Sequence, residues 1–338
     1  MRIGIIGTGR IAEENVPALL RTGRVRIAAL CNRTVEKAER LKSQWGLEAP
    51  VYADYRAMLD RERLDAVLIE TPHGQHAEQF CACAARGLHV MVEKPLAADA
   101  ADARVMIEAA KRHGVRAAVC HTQRYLAPMR ALRDFLRQGG ADELGALVSV
   151  TDVLNFHYFH EQRPTWYFDP AQAGGGMLLT HGAHQIDRIH HLAGAATSAL
   201  SARVERRASG TALDSGYQLL GDAGGVGYVA VCTGLPSPHA SSLLLGFERG
   251  AVRVHLFDCG LEKPGVYVGR GDGRYEPLAI QYRAEDTYVR QFEALLDHLE
   301  GRDSDAPTLI EAYQVMRVLD AAVAAEHALY PLFNDPER

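Results

Sequence analysis

The residues best suited to chemistry lie in a short segment, His89–Pro95, where an apolar run ends at Glu93-Lys94-Pro95. A parallel strand buried on both faces has an apolar sequence, and its carboxyl end opens onto the ligand crevice of the sheet. Pro95 lacks an N–H and biases Lys94 towards an extended backbone, so the strand should end at this corner. A lysine partly removed from water has a lowered pKa and donates a proton more readily near neutral pH. The alternative is an exposed lysine in a turn.

A second candidate lies near the start of the chain, where Gly7-Thr8-Gly9-Arg10-Ile11-Ala12 joins an apolar strand, Arg2–Ile6, to a segment with helical spacing. The first glycine permits a tight turn and the second lets the backbone approach a pyrophosphate. Ala12 allows close packing of helix on strand, and the helix N-terminus favours an anion. At a strand–helix junction this pattern predicts a dinucleotide site.

The elements that position these groups alternate over the first 121 residues. Predicted strands are Arg2–Ile6, Val25–Cys31, Val51–Tyr52, Ala66–Glu70, His89–Glu93 and Ala117–Cys120. Predicted helices are Ala12–Leu20, one capped by Thr34 and ending at Gln44, one capped by Asp54, His76–Arg86 and Asp99–His113. The alternation predicts an α/β fold, a Rossmann-type doubly wound parallel sheet.

The end of the second strand bears on cofactor preference. An acidic residue there would bind the adenosine ribose and favour NAD(H). The sequence has Cys31-Asn32-Arg33-Thr34 instead, so NADP(H) is favoured, with Arg33 available to pair with a 2′-phosphate and Arg10 assisting. NAD(H) stays possible, because Arg33 could simply be solvated at a helix start.

These pieces, together with Thr71-Pro72, His76-Ala77, Trp166, Asp169-Pro170 and the stretch Gly174–Asp187, resemble the Gfo/Idh/MocA family of glucose–fructose oxidoreductase and inositol dehydrogenase. The resemblance spans nearly the whole chain. It implies a dinucleotide-binding Rossmann domain over residues 1–121. It also implies an α+β domain over 122–338 with a large, mostly antiparallel open sheet for substrate binding and oligomerisation. Family members are typically NAD(P)-dependent oxidoreductases of sugars, polyols and related cyclic alcohols, and many are dimers or tetramers.

The resemblance also implies roles for single residues. Lys94 would contact the substrate hydroxyl and the nicotinamide ribose, and His184 would serve as acid/base. The predicted cofactor-binding residues are Gly7, Thr8, Gly9, Arg10, Ile11, Asn32, Arg33, Thr71, Pro72, His76, Glu93, Lys94 and His121. The predicted substrate-binding residues are Arg124, Tyr125, Arg163, Trp166, Tyr167, Thr180, His181 and Asp187.

One position departs from the family pattern. From Met177 the spacing is helical and places Thr180, His184 and Asp187 on one face. The family usually has a carboxylate at the position of Thr180, and a threonine cannot stabilise an imidazolium electrostatically. The basicity of His184 should therefore fall, and His181, His121 or Lys94 could carry the proton instead.

The rest of the second region is predicted as a helix over Ala127–Arg137 and a strand over Ala146–Phe156 extended by His157–His160. Short strands separated by Gly and Asp turns follow from Ala199 to Ile280, and two helices end the chain. The histidines between 157 and 191 raise the possibility of a metal. No Cys or carboxylate spacing completes a familiar site, and we predict none.

Composition sets outer limits. The chain has 338 residues, enough for two domains, and a net charge of −5 gives no reason to expect nucleic acid or an acidic membrane as partner. No apolar run would span a bilayer, and the start lacks the layout of a signal peptide. Six cysteines inside apolar patterns predict reduced thiols of a cytoplasmic protein.

The favoured hypothesis is an oxidoreductase moving a hydride between nicotinamide and a sugar, polyol or cyclic dihydrodiol-type substrate. It expects the Lys94 amine and the His184 imidazole to face one cavity. The alternative is a decarboxylase or lyase on the same fold, since Lys94, His121, Arg124 and Arg163 would suit a carboxylated substrate. A third possibility is a non-catalytic dinucleotide sensor, against which intact Lys94 and His184 argue.

Overall fold

The structure is a computed structural model, and it describes residues 1–158, 164–206, 213–234, 238–260, 263–271 and 273–329. The chain forms two compact units. The first contains Met1–Thr122 and Glu285–Tyr313, and the second contains Gln123–Ala284 and the residues from Gln314 onward. The sequence alone grouped residues 285–313 with the second domain. In the structure they return to the first unit, because a helix in this segment packs on its sheet.

The first unit is built on a six-stranded parallel sheet of order β3-β2-β1-β4-β5-β6. β1, β4 and β5 are almost completely buried, as their apolar runs predicted. Its elements are β1 Arg2–Ile6, α1 Ala12–Arg21, β2 Arg26–Cys31, α2 Val35–Gln44, β3 Val51–Tyr52, α3 Tyr55–Arg61, β4 Ala66–Ile69, α4 His76–Ala84, β5 His89–Glu93, α5 Ala100–His113 and β6 Ala117–Cys120. The predicted Rossmann-type fold class is confirmed.

Helix caps follow the predicted chemistry with one exception. Asp54 and Asp99 accept backbone hydrogen bonds at the starts of α3 and α5, and Gly114 ends α5 in the left-handed conformation. Thr34 occupies the N-cap position of α2, but its hydroxyl makes no capping bond. Its N–H instead donates to Asn32 Oδ1, which fixes the chain at the end of β2.

The second unit is built on an eight-stranded sheet of order β14-β13-β12-β11-β7-β10-β9-β8, in which only the β7–β10 pair is parallel among the described strands. The predicted mostly antiparallel sheet is therefore confirmed. Its elements are α6 Ala127–Phe135, α7 Ala141–Leu144, β7 Leu147–Asn155, α8 Pro170–Ala173, α9 Ala183–Ala193, β8 Thr197–Arg206, β9 Asp214–Ala223, β10 Val226–Thr233, β11 Ala240–Phe247, β12 Gly250–His255, β13 Gly265–Gly269 and β14 Tyr275–Pro277.

Of three predicted boundaries in this unit, the two helix boundaries agree with the structure and the strand end was wrong. The first helix, α6, continues in helical conformation to Arg137, as predicted, and the chain then kinks where Gln138 and Gly139 leave helical φ/ψ. β7 stops at Asn155, because its antiparallel partner β11 begins opposite that residue. Helical backbone begins at Met177, as predicted, and passes through a π-type turn, Leu178–Gly182, before α9.

Two helices complete the described chain, α10 Thr287–Leu299 and α11 Leu309–Leu329. α10 packs on β6 and α1 within the first unit. No helix in the described ranges is long and apolar enough to cross a membrane.

Candidate functional site

The carboxyl ends of the parallel strands bring the predicted cofactor residues of the first unit to one edge of the sheet. β1 leads into Gly7, β2 into Asn32, β4 into Thr71, β5 into Lys94 and β6 into His121. β1 lies beside both β2 and β4, so the direction of strand order reverses between β1 and β4. Ligands of doubly wound sheets bind in the crevice at this switch point.

The glycine turn is determined by two different requirements. Gly7 has a φ of +100°, and a Cβ there would lie 2.6 Å from the carbonyl oxygen of Glu70. Gly7 is therefore required by the protein itself, because β1 and β4 approach closely at this point. A Cβ on Gly9 would meet no protein atom within 4 Å. The fold does not demand glycine at that position.

The start of α1 suits a phosphate group. In the part of the chain that the structure describes, the backbone N–H groups of residues 9 to 11 donate no hydrogen bond. Unsatisfied N–H groups at a helix N-terminus attract anions. Together with the open side of Gly9, the turn fits the pyrophosphate of a dinucleotide.

The end of β2 presents positive charge and an amide. Asn32 donates to the Thr8 hydroxyl at 2.6 Å, which joins this strand end to the glycine turn. Arg10 and Arg33 are exposed, and neither forms an ion pair with a residue in the described ranges. This arrangement can take a 2′-phosphate as well as ribose hydroxyls.

His76, the first residue of α4, links the two loops that carry the family motifs. Its Nε2 lies 2.8 Å from the Thr71 carbonyl oxygen, and its Nδ1 lies 3.1 Å from that of Pro95. The ring is fully buried, and burial lowers its pKa. A neutral ring donates from one nitrogen at a time. His76 therefore holds the loop after β4 against the loop after β5.

The Glu93-Lys94-Pro95 corner rests on a buried polar cluster that the sequence did not reveal. Lys94 is partly buried, and the Lys94–Pro95 peptide bond is cis. Below it, the Asn15 side chain donates to Glu70 at 2.6 Å and to Glu93 at 2.9 Å. An acidic residue directly after the apolar run of β4 was the available signal for Glu70.

In the second unit, the helical segment with His184 begins against β9. The buried carboxylate of Asp214 accepts hydrogen bonds from the N–H groups of Gly176 and Leu178. A Cβ on Gly176 would lie 2.4 Å from the Asp214 carbonyl oxygen, so glycine is required there. Asp214 thus caps the segment from another part of the sequence, which periodicity could not reveal.

Thr180 lies in the π-type turn and is buried. Its hydroxyl lies 2.7 Å from the Gly176 carbonyl oxygen, 3.2 Å from the Tyr158 hydroxyl and 3.1 Å from His181 Nδ1. The His181 and His184 ring centroids are 6.4 Å apart. The wide turn interrupts the regular α-helical spacing between Thr180 and α9, and the shared face of Thr180, His184 and Asp187 stays a prediction.

Aromatic rings surround His181. Phe156 lies 4.5 Å and Tyr158 5.3 Å from it between ring centroids. Tyr167 contacts Tyr158 edge-on at 6.1 Å and stacks on Trp166 at 3.8 Å. The structure therefore brings four predicted substrate residues near one another, Trp166, Tyr167, Thr180 and His181. Phe156 and Tyr158 were missed because they follow the end of β7.

Arg124 and Asp187, both predicted to bind substrate, are bound to each other. Two parallel hydrogen bonds of 2.9 and 2.6 Å join them, and both side chains are 2 % exposed. The neighbouring Arg188 forms a similar buried pair with Asp152. Tyr125 is also buried. The positive charge of Arg124 is thus neutralised within the second unit.

The remaining predicted residues are placed separately. Arg163 lies outside the described residues. Lys94 and His121 belong to the first unit and His184 to the second. The expectation that Lys94 and His184 face one cavity stays a prediction. Among the described residues, no three His, Cys, Asp or Glu side chains are grouped to hold a metal ion.

Comparison with known proteins identifies the family of both domains. Residues 1–121 match the family model described as an oxidoreductase family with an NAD-binding Rossmann fold, and residues 129–253 match the GFO/IDH/MocA C-terminal domain. The chain is 29 % identical to 4-carboxy-2-hydroxymuconate-6-semialdehyde dehydrogenase of Sphingobium sp., over 95 % of this chain and 98 % of that protein. It is 26 % identical to D-xylose 1-dehydrogenase (NADP(+)) 2 of Haloferax volcanii, over 95 % and 96 %.

A solved structure of levoglucosan dehydrogenase in complex with NADH and levoglucosan superposes with a TM-score of 0.84 at 18 % identity. The superposition covers 97 % of each chain and concerns the fold. The two family models match a large part of each structural unit. The chain therefore belongs to the Gfo/Idh/MocA family of NAD(P)-dependent oxidoreductases.

Proposed function

We propose that the protein is an NADP(H)-preferring dehydrogenase or reductase acting on CH–OH groups of a sugar, polyol or cyclic dihydrodiol-type substrate. The observation that carries the proposal is the glycine turn at the β1–β4 switch point, with the guanidinium groups of Arg10 and Arg33 exposed beside it. A carboxylate at the end of β2 would repel a 2′-phosphate, and the sequence there has none.

The preference for NADP(H) is tested by Arg33→Asp. Losing a hydrogen-bonded ion pair to phosphate costs about 1.5–3 kcal/mol, so the Kd for NADPH should rise about 10- to 100-fold while that for NADH changes little. Titration calorimetry measures both constants. Arg26→Asp, at the opposite end of β2, is the matched control. Unchanged Kd values for both cofactors in Arg33→Asp would contradict the preference.

The proposed chemistry assigns two roles to the chain's own residues. The bound nicotinamide supplies the hydride acceptor or donor. Lys94 polarises the reacting oxygen of the substrate, and His184 exchanges its proton. In this chain Thr180 replaces the usual family carboxylate, so the imidazolium form of His184 lacks that support, and His181 or His121 could share the proton transfer.

Lys94→Ala tests the first role. Removing a group that acts in the transition state should lower kcat by about 10²- to 10⁴-fold, rather than only raise KM. Lys37→Ala, an exposed lysine on α2, is the control. If Lys94 and His184 act on one oxygen, the double variant should be little worse than the more damaged single variant. If the losses of kcat in the two single variants add fully in the double variant, the two residues act independently.

The ring cluster around His181 supports a cyclic substrate. Trp166 and Tyr167 are partly buried and can pack against the face of a ring, with His184 nearby. The relatives named above act on sugars and on a carboxylated semialdehyde according to their names. A thermal-shift screen of polyols, dihydrodiols and aromatic carboxylates ranks the candidates, since stabilisation grows with concentration over Kd.

The decarboxylase alternative is not favoured. That hypothesis included Arg124 among the positive charges that would bind a carboxylated substrate. In the structure the Arg124 guanidinium is instead bound to Asp187. The family and the relatives reported above are oxidoreductases by description.

We further propose that the second sheet pairs with a second copy of the chain. The paired residues Leu244, Thr151, Val229 and Leu220 form a row across β11, β7, β10 and β9, and the three apolar ones are 37–50 % exposed. An exposed apolar row across a sheet is typical of an interface. Leu220→Arg with Leu244→Arg should reduce the assembly size in light scattering, while Val105→Arg on α5 should not. A monomeric wild-type protein would contradict this.

The redox state of the cysteines favours a cytoplasmic location. All six are free thiols, and Cys31, Cys83, Cys120 and Cys232 are buried. Such thiols are typical of a reducing compartment.

A further inference from the structure

Two carboxyl groups lie buried at the carboxyl ends of neighbouring strands of the first unit. Glu70 follows β4 and Glu93 ends β5, and each side chain is 7 % exposed. One Asn15 amide nitrogen donates to Oε1 of both, at 2.6 and 2.9 Å. Glu93 Oε2 also accepts the Lys94 N–H at 3.1 Å, whereas Glu70 Oε2 is buried without a hydrogen-bond partner among the described residues.

This geometry disfavours two ionised carboxylates at once. Two carboxylates that share one amide donor in a buried site repel each other, so the second ionisation is strongly disfavoured. Burial raises the pKa of Glu93 as well, but the charge of Lys94 and two N–H donors, one from Asn15 and one from the Lys94 backbone, oppose this effect. Glu70 has one donor, so Glu70 is the group that retains the proton.

The surrounding groups support this assignment. Burial raises the pKa of Glu70 well above its ordinary value, and the charge of Glu93 raises it further, against the effect of the Asn15 hydrogen bond. Burial also keeps neighbouring Cys120 on β6 and Tyr288 on α10 neutral, with the pKa of Tyr288 raised to about 12. The charged groups facing this region are Lys94, Arg10 in the glycine turn and Glu14 on α1, and burial lowers the pKa of the adjoining His76.

The place of the two carboxyl groups on the sheet edge indicates which half of the proposed cofactor they would lie near. The end of β2 belongs to the adenosine half of a doubly wound sheet, so β4, β5 and β6 form the other half. The nicotinamide ring is a cation when oxidised and neutral when reduced. A cation placed near a buried acid favours its ionised form.

We propose that Glu70, Asn15 and Glu93 form a proton-binding site that couples the protonation of this edge to the redox state of the bound cofactor. The inference rests on the proposed cofactor site. Binding of the oxidised cofactor breaks the Glu70 O–H bond and releases the proton to solvent, leaving a carboxylate. Binding of the reduced cofactor leaves the proton in place. The oxidised form should therefore bind more tightly, relative to the reduced form, as pH rises.

Titration calorimetry in two buffers of different ionisation enthalpy measures the protons released on binding. Between pH 6 and 8, wild type should release on the order of 0.3–1 proton more with NADP⁺ than with NADPH. Glu70→Gln should abolish this difference while still binding both cofactors. Glu78→Gln, which removes an exposed carboxylate of the same unit, should retain it.

The outcomes are distinguishable. Equal proton release for both cofactors in wild type, or a persistent difference in Glu70→Gln, would overturn the inference. If neither cofactor binds wild type, the proposed cofactor site fails as well. Should Glu70→Gln not fold, the wild-type infrared spectrum decides. The carbonyl band of a protonated carboxyl should weaken on adding NADP⁺ but not NADPH, and an unchanged band would overturn the inference.

Discussion

The two units position their functional residues by different means. At the edge of the first sheet, positions are set by backbone: a glycine turn, strand ends and a helix start, all within a few residues of a sequence motif. Around His184 in the second unit, positions are set by side chains that meet across long stretches of sequence. Arg124 pairs with Asp187, 63 residues away, and Arg188 with Asp152, 36 residues away.

The comparison shows which kind of site tolerates change. A backbone-built site depends on a few conformations that only particular residues adopt, and most of its side chains can vary. A buried polar network depends on every member, because each lost partner leaves a charge without compensation. The predictions below concern the free energy of unfolding and run from the largest expected loss to the smallest.

Asp187→Ala should be the most damaging of the changes considered. It leaves the buried Arg124 guanidinium without its carboxylate, which typically costs about 3–5 kcal/mol. Urea unfolding measures the loss. The exposed pair of Arg56 and Glu78 is the control, and breaking it should cost only about 0–1 kcal/mol.

A double variant separates pairing from packing in the second unit. Replacing Arg124 with Met and Asp187 with Leu removes both charges and should recover much of the loss, since apolar replacements of a buried pair are often neutral. If Asp187→Ala cost no more than the surface pair, the second unit would not depend on its side-chain network.

Gly7→Ala should destabilise the first unit through the backbone. A non-glycine residue at positive φ costs about 1–3 kcal/mol, and contact of the new Cβ with the Glu70 carbonyl adds to this. Gly114, at the end of α5, has a φ of +65°, but a Cβ added there would meet no atom within 4 Å. Gly114→Ala is therefore the comparison. Thermal unfolding of both variants therefore isolates the steric contribution. Equal losses would show that β1 and β4 can move apart.

Glu70→Gln should change how stability depends on pH. The folded state raises the pKa of Glu70 above its ordinary value of 4.5, so it binds this proton more tightly than the unfolded chain. The stabilisation that comes from this tighter proton binding is fully present below the ordinary pKa of 4.5. It is lost as pH rises from there through the raised pKa of the folded state. The loss is at most about 1.4 kcal/mol per pH unit.

The variant lacks this titration, so its stability relative to wild type should increase with pH above about 4.5. Chemical unfolding at a series of pH values measures the difference. Two parallel stability curves would mean that Glu70 is ionised in both states.

The same contrast explains what the sequence could predict. In the first unit, the strands, the turn at Gly7 and the Asp54 cap were predicted because each depends on neighbours in sequence. The Asn15–Glu70–Glu93 cluster was missed because it joins α1 to two strands 55 and 78 residues away.

In the second unit, the helical spacing after Met177 was visible, but the π-type turn was not. Asp214 binds the N–H groups at its start from 36–38 residues away, and periodicity carries no information on such a contact. The sequence predicted Arg124 and Asp187 as substrate-binding residues, and in the structure these two side chains bind each other. Charged residues in a motif indicate that charge is needed, and only the fold decides what it binds.

Of the variants considered, Gly9→Ala should have the smallest effect on the free energy of unfolding, yet it should clearly weaken cofactor binding. An added Cβ at Gly9 meets no protein atom within 4 Å, so the free energy of unfolding should change by less than about 0.5 kcal/mol. A pyrophosphate held against the N–H groups of α1 would meet the methyl group directly, so the Kd for NADPH should rise about tenfold or more. Calorimetry on the folded variant compares the two quantities, with Gly227→Ala as control, since a Cβ at Gly227 also meets no atom within 4 Å and its φ is not positive. Wild-type affinity in Gly9→Ala would mean that the open side of this turn is not where the phosphates bind, and the backbone-built site would have to lie elsewhere on the sheet edge.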